Sequence, residues 1–427
     1  MRLSRRSFLK SLGIAGIIGI SKSLFPSWMP SLAFGQPGAD QGDILIVIFL
    51  RGGMDGLSAV VPYFEAAYYD ARPTQHVPEA SVIDLDGRFG LHPAMLPLKE
   101  LYDDGVLGVI HAAGSPNDTR SHFDAMQFME YGTPGEKSIG TGWLGRYLQL
   151  TAERNQSPFR AIGMGQMVAQ SLRGPVSPLA IKSIADFHFK GRESELVRLQ
   201  QSLAALYQID APEDLLGSNA ALVFDTAEML QQLSAEPYTP QRGSRYPNSE
   251  FGQGLKQIAQ LIKADVGLEV ACIDLGGWDT HEGQGTLDGT FAGLLGELSS
   301  GLHALYTDLS EQMQGITVVA MSEFGRCLKE NASAGTDHGH GNVMLLLGGG
   351  VKGRQVYCDW PTLAPAALSG GDLAVTTDYR DVLAEVLQER LGSEGEALAQ
   401  IFLRHRVRQL GVLRSRWQLA GGAHARR

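Results

Sequence analysis

The chain predicts an α/β fold with a doubly wound, mostly parallel sheet and flanking helices, on three observations. Apolar runs of five to eight residues recur along it, helix-spaced segments separate several of them, and polar clusters rich in Asp, His and Gly border the runs. With 427 residues, 44% hydrophobic and 19% charged, it can bury a sizeable core and is too ordinary in composition for disorder or a collagen-like repeat. Its 52 glycines suit many tight strand-to-helix turns.

The N-terminus reads as an address. Ser4 to Lys10 is S-R-R-S-F-L-K, followed by the Gly-rich apolar run Leu12 to Ile20 and small residues at Ser31 to Ala33. This is the pattern of a twin-arginine export signal over residues 1–35, with a short basic amphipathic helix or retained anchor as the plainer alternative. Export to the periplasm or beyond follows, with the twin-arginine machinery as a partner. Removing that segment leaves 31 basic against 46 acidic residues and a net charge of −15, which argues against a nucleic-acid partner. No later stretch reaches the roughly 20 apolar residues of a membrane helix, so no stable membrane span is expected. Three cysteines, Cys272, Cys327 and Cys358, are too few and odd in number for a disulfide framework.

The elements follow in order. Ile44 to Leu50 (ILIVIFL) is a strand buried on both faces, ending at Arg51-Gly52-Gly53-Met54-Asp55-Gly56. A helix from Pro93 to Tyr102 leads through Asp103-Asp104-Gly105 to a strand from Val106 to Ala113. Further strands are expected at Val270–Leu275, Ile316–Met321 and Val343–Leu347, with a long helix within Leu287–Met313 between the first two. Between 186 and 264 the alternation breaks. Helical segments Ala185–Tyr207, Asn219–Leu233 and Gly252–Ala264 and a turn-rich stretch from Glu236 to Asn248 read as a helical insertion within one domain spanning 42–400. Residues 403–427 form a basic tail, read as a solvated helix end or, more sharply, as a contact for an anionic membrane or protein.

Ligands of open α/β sheets bind beyond the carboxyl ends of the strands. There the chain delivers Asp55; Asn117-Asp118-Thr119-Arg120-Ser121-His122 at a helix start; Trp278-Asp279-Thr280-His281; Ser322-Glu323-Phe324-Gly325-Arg326; and Thr336-Asp337-His338-Gly339-His340-Gly341. Carboxylates with imidazoles suit zinc or manganese better than calcium. Each cluster alone is more often a capped turn; their joint placement is what points to a metal site. His92, His111 and Cys327 read as packing residues, and no G-x-G-x-x-G fingerprint supports a dinucleotide cofactor.

Several of these motifs carry a resemblance. R-G-G-M-D-G-L (51–57), L-H-P (91–93), T-R-S-H-F-D-A (119–125), W-D-T-H (278–281), S-E-F-G-R (322–326), G-T-D-H-G-H-G (335–341), G-G-G-V-K-G (348–353) and T-T-D-Y-R-D-V (376–382) resemble an exported family known as domain of unknown function 1501. That family is similar in turn to the alkaline phosphatase and sulfatase superfamily. The resemblance implies an alkaline phosphatase-like fold, with metal ligands among Asp55, Asp279, His281, Glu323, Asp337, His338 and His340. It also implies a nucleophile at Ser121, with Thr119 in reserve, and Arg120 or Arg326 clamping the ester anion. Ser322-Glu323-Phe324-Gly325 departs from the superfamily's frequent Ser-Asp-His-Gly, so a histidine ligand is missing there. The Cys/Ser-x-Pro-x-Arg setting of sulfatases is also absent around Ser115-Pro116. Two functions remain open. One is a metal-dependent hydrolase of small phosphate or sulfate esters; the other is an exported binding or assembly protein that keeps the fold without turnover.

Overall fold

Six consecutive buried side chains, Leu45 to Leu50, make β1 (Ile44–Leu50) the axis of the molecule. The computed structural model describes residues 42–155, 157–176, 178–184, 229–230, 233 and 237–416. The other main strands are β2 (Leu107–Gly114), β3 (Ala161–Met164), β4 (Leu179–Ile181), β5 (Val270–Leu275) and β6 (Ile316–Met321). They are followed by the hairpin β7 (Arg326–Glu330) and β8 (Thr336–His338), then β9 (Asn342–Gly348), β10 (Gln355–Tyr357) and β11 (Thr377–Asp378). Nine of these build one sheet in the order β10-β2-β9-β6-β1-β5-β3-β4, with β11 added beside β2.

Every pairing in that sheet is parallel except the two made by β9, which runs against β2 and β6. A continuous apolar run tolerates either direction, because both faces are covered in either case. What reverses β9 is its approach: it follows β6 through a short strand hairpin instead of the helical crossover that a parallel neighbour requires.

Alternation along β1 feeds two cores. Ile46, Ile48 and Leu50 face α1 (Leu96–Asp103), together with later helices that contribute Leu255 and Ile258, and Leu295 and Leu302. Leu45, Val47 and Phe49 face α2 (His122–Tyr131) and α3 (Trp143–Leu150), which contribute Met129, Trp143 and Tyr147. The first core is completed by α4 (Glu250–Lys263) and α5 (Thr290–Asp308), and the second by α6 (Tyr379–Glu389) and α7 (Glu396–Ile401). The doubly wound α/β arrangement expected from the sequence is therefore present. Each buried Ile or Leu here contributes about 1.5–3 kcal/mol of transfer free energy, and the two-sided burial of β1 concentrates that term at the sheet centre.

Expected segments Ala185–Tyr207 and Asn219–Leu233 fall almost wholly outside the described residues. The third, α4, packs against the sheet: Phe251, Leu255, Ile258 and Leu261 share a core with Ile46 and Ile273. Of the basic tail, residues 403–416 are described and lie along α6, whose buried Glu385 accepts the backbone N–H groups of Leu410, Gly411 and Leu413 at 2.7–2.9 Å. Among the described residues no helix is long and apolar enough to cross a membrane.

Candidate metal centre

Strands β1, β2, β5 and β6 run in one direction, so their carboxyl ends share one edge of the sheet. Because β9 is reversed, its amino end arrives at that same edge, and the β7–β8 hairpin before it is delivered there too. This brings together the start of α2, the loop after β5, the residues after β6 and the end of β8. At the end of β1, Gly53 takes φ +66°, and a Cβ there would sit 2.6 Å from the Phe324 ring, so the chain passes only as glycine.

Three imidazoles and one carboxylate meet at this edge. His338 Nε2 lies 2.9 Å from His122 Nε2 and 2.8 Å from His281 Nε2. Asp279 Oδ1 lies 3.3 Å from His122 Nε2, 3.1 Å from His281 Nε2 and 3.2 Å from His338 Nε2. His122, Asp279 and His338 form a group whose ligand atoms all fall within 4.8 Å of one another. Donor atoms about 2.0–2.2 Å from a single zinc ion lie roughly 3–3.5 Å apart, so this spacing fits one first-row cation.

The other ring nitrogens decide what faces the gap. His122 Nδ1 pairs with Glu323 Oε1 at 2.6 Å, His281 Nδ1 with Asp337 Oδ1 at 2.8 Å, and His338 Nδ1 with the Arg120 carbonyl at 2.7 Å. A carboxylate and a carbonyl oxygen can only accept, so each Nδ1 carries the hydrogen. The Nε2 lone pairs then converge on one another and on Asp279, an arrangement that only a proton or a cation between them makes favourable. Metal-binding histidines are held by such outer acceptors. The ring of Phe324, buried, packs 4.8 Å from His122 and 5.0 Å from His338 and closes the underside.

Local charge agrees with this geometry. Burial pushes the Asp279 carboxyl up, but the hydrogen bond and charge of Arg326, with His338 and His122, outweigh it and hold it at about 2. The hydrogen bond to Glu323 raises His122 against its burial, whereas burial lowers His338.

Of the residues expected as ligands, Asp279, His281 and His338 thus meet in the cluster. Glu323 and Asp337 stand one shell behind it; Glu323 also accepts the Gly52 N–H at 2.9 Å and the Ser322 hydroxyl at 3.0 Å. His340 points its Nε2 at the Ser115 carbonyl, 2.9 Å away. Asp55 is engaged elsewhere: fully buried, it takes both Arg72 donors, at 2.5 and 3.1 Å, and the Gln284 amide at 2.8 Å. Its oxygens are committed to that ion pair.

The expected catalytic groups also take other roles in the fold. Ser121 caps α2, its hydroxyl accepting the Asp124 N–H at 3.4 Å, and the Thr119 hydroxyl accepts the Ser121 N–H at 3.3 Å. The Arg120 side chain pairs with Asp372. Arg326 is buried, with its guanidinium donating to the carbonyls of Gly52, Gly53, Trp278 and Thr336 and to Asp279. It stitches the loops together and, at 1% exposure, is buried among them instead of facing an ester. His122 was not expected among the ligands. Its signal is its place at the helix start after β2, next to the capping Ser121.

A family model described as a protein of unknown function (DUF1501) matches residues 108–402, well over half of the chain. The chain belongs to this family. All six residues of the DUF1501 cluster and its outer shell, from His122 to His338, lie inside the matched span, and Asp55 precedes it. No curated protein matches the sequence. Among solved structures, this DUF1501 chain is similar to the PsFucS1 sulfatase from Pseudoalteromonas sp., at 11% identity over 81% of this chain and 67% of that one, with a TM-score of 0.34. It is similar to the C-terminal periplasmic domain of EcEptC from Escherichia coli in complex with Zn, at 10% identity over 72% and 73%, TM-score 0.34. A third is alkaline phosphatase from the Antarctic bacterium TAB5, at 11% identity over 72% and 92%, TM-score 0.29. At such scores no residue role passes from these proteins to this one.

Proposed function

We propose that this chain is an exported metal-dependent hydrolase of phosphate or sulfate esters, with His122, Asp279, His281 and His338 as the metal ligands. One observation carries the reading: four lone-pair donors converge while every imidazole is fixed from behind by an acceptor. The nitrogen-rich donor set favours zinc, then manganese, over calcium. When bound, such an ion supplies Lewis acidity and lowers the pKa of water.

The chain's own residues supply the rest. Arg326 holds Asp279 in place, Glu323 and Asp337 fix the outer nitrogens of His122 and His281, and Phe324 keeps water from the underside. The attacking group in this reading is the hydroxyl of Ser121, exposed and one residue before His122, which would have to leave its cap on Asp124, or else a water. Export through the twin-arginine signal at 1–35 belongs to the same proposal, since that route carries proteins already folded.

A second reading, a binding or assembly protein without turnover, is favoured by a specific observation: Arg326 is buried among loop carbonyls and Arg120 is drawn into an ion pair with Asp372, which weakens the arginine clamp expected for an ester anion. Elemental analysis of the purified protein separates the two. The hydrolase predicts about one equivalent of zinc or manganese, lost together with turnover of aryl phosphates or sulfates in an Asp279→Ala/His338→Ala variant. A folded parent without metal sinks the hydrolase, and a metal-loaded parent inert toward both ester classes leaves the binding protein.

A further inference from the structure

We propose that Asn331 is a positioning residue for the metal centre, acting through His281 and Asp337. The inference rests on the metal reading above and specifies how one of its donors is held.

Asn331 opens the turn between β7 and β8, and its carboxamide is fully used. Nδ2 donates to the His281 carbonyl at 2.9 Å and to Asp337 Oδ1 at 3.0 Å. Oδ1 accepts from the backbone N–H groups of Ser333 at 2.9 Å and Gly335 at 3.1 Å. Two donors and two acceptor sites are thereby matched, which is the full capacity of an amide side chain. One half of the group ties the turn to itself, and the other reaches across to the loop that carries His281.

The turn also docks on that loop through its backbone. Gly283 N–H donates to the Ser333 carbonyl at 2.9 Å, Gln284 N–H to Ala334 at 2.8 Å, and Thr336 N–H to Thr280 at 3.2 Å. The approach is so close that a Cβ at Gly335 would lie 2.3 Å from the His281 carbonyl oxygen. Hairpin and loop are one rigid unit here, and Asn331 is its side-chain pin.

His281 needs such a pin more than its partners do. Its side chain is 39% exposed, against 19% for His122 and 21% for His338. Packing holds the other two rings; His281 relies on the bond from Nδ1 to Asp337, itself 59% exposed. Asn331 donates to the same Asp337 oxygen that receives the His281 N–H, so it fixes the acceptor that fixes the ring. Replacing Asn331 by Asp would set lone pairs against a carbonyl and a carboxylate, whereas Ala would leave the pair untethered.

The test is zinc titration of metal-free protein against a chromophoric chelator for the parent, Asn331→Ala, Asn331→Asp, His281→Ala and the Asn331→Ala/His281→Ala double variant. It is paired with nitrogen NMR of the His281 ring in the metal-free forms. Loss of an outer-shell partner costs about 10–100-fold in metal affinity, so Asn331→Ala weakens zinc by about tenfold and Asn331→Asp by more. In the His281→Ala background Asn331→Ala costs nothing further, because it acts through that ring. In metal-free Asn331→Ala the His281 ring leaves its single Nδ1–H tautomer. Thermal unfolding of each metal-free variant controls for a general loss of fold. Parent-like zinc affinity and an unchanged His281 ring in Asn331→Ala, or additive losses in the double variant, overturn the inference alone. A parent that binds no zinc overturns the metal reading, and the positioning role falls with it.

Discussion

His111 sits inside β2, fully buried, with Nε2 donating to the Val60 carbonyl at 2.9 Å and Nδ1 accepting the Ala112 N–H at 2.8 Å. Burial, only partly opposed by the bond to Val60, pushes its pKa down to about 4 from the ordinary 6.5. The sign follows directly: a histidine held neutral in the fold contributes fully above pH 6.5, and that contribution is lost as pH falls from 6.5 toward 4. At about 1.4 kcal/mol per unit, the parent should lose roughly 2–3 kcal/mol more than a His111→Gln variant between pH 7 and 4.5. Urea unfolding at the two pH values checks this, and equal losses in both proteins would refute it. A different balance governs the Asp55–Arg72 pair. Burial pushes Asp55 up, but the charge and hydrogen bonds of Arg72, with Gln284 and Ser58, hold it below the usual carboxylate range. Such a pair organises the loop after β1, and either half alone would be an uncompensated buried charge.

At the scale of elements, the hold of α6 on the chain after α7 makes a separate prediction. Glu385 is 1% exposed and receives three backbone N–H groups, while Asp381 receives the His405 Nε2–H at 2.7 Å and the Arg408 N–H at 2.8 Å. Hydrogen bonds to a charged acceptor contribute about 1.5–3 kcal/mol each when nothing replaces them. Glu385→Ala should free residues 405–413, read as at least tenfold faster amide exchange at Leu410, Gly411 and Leu413 with little change in β1. Protection surviving at those amides would count against the clamp. This hold was not legible beforehand, because nothing in E-V-L-Q-E marks one glutamate as buried. Strands β1, β5 and β6 were legible to the residue, because burial writes itself as an apolar run, unbroken in β1 and interrupted by a single polar residue in the others, the exposed Asp274 in β5 and the buried Thr317 in β6. The strands β3, β4, β10 and β11, of two to four residues, carry too little pattern. The hairpin β7–β8 is charged, so Asp337 and His338 read as loop although β8 holds them. Asp279, His281 and His338 were legible from their place at the strand ends; the shell occupied by Glu323 and Asp337, and the diversion of Asp55 to Arg72, depend on contacts between distant segments.

The whole molecule is acidic after its first 35 residues, and those residues hold five of its basic groups and no acids. If Arg5 and Arg6 are an export address, Arg5→Lys/Arg6→Lys should leave the folded protein inside the cell, measured by fractionation with a cytoplasmic marker. Undiminished export of that variant would assign the segment another role. The order of events in that route matters for the site. His122 and His338 are 216 residues apart, and His122 and Glu323 are 201 apart, yet His122 touches both. In an unfolded chain, bringing such distant points together costs free energy that grows with the logarithm of the loop. No partial sheet holds the four donors at once, so a cation can settle only after β2, β5 and the β7–β8 hairpin are in register. Once there, it would act as a removable cross-link between the two halves of the sheet, tightening the native state by an amount set by how far its concentration exceeds its dissociation constant.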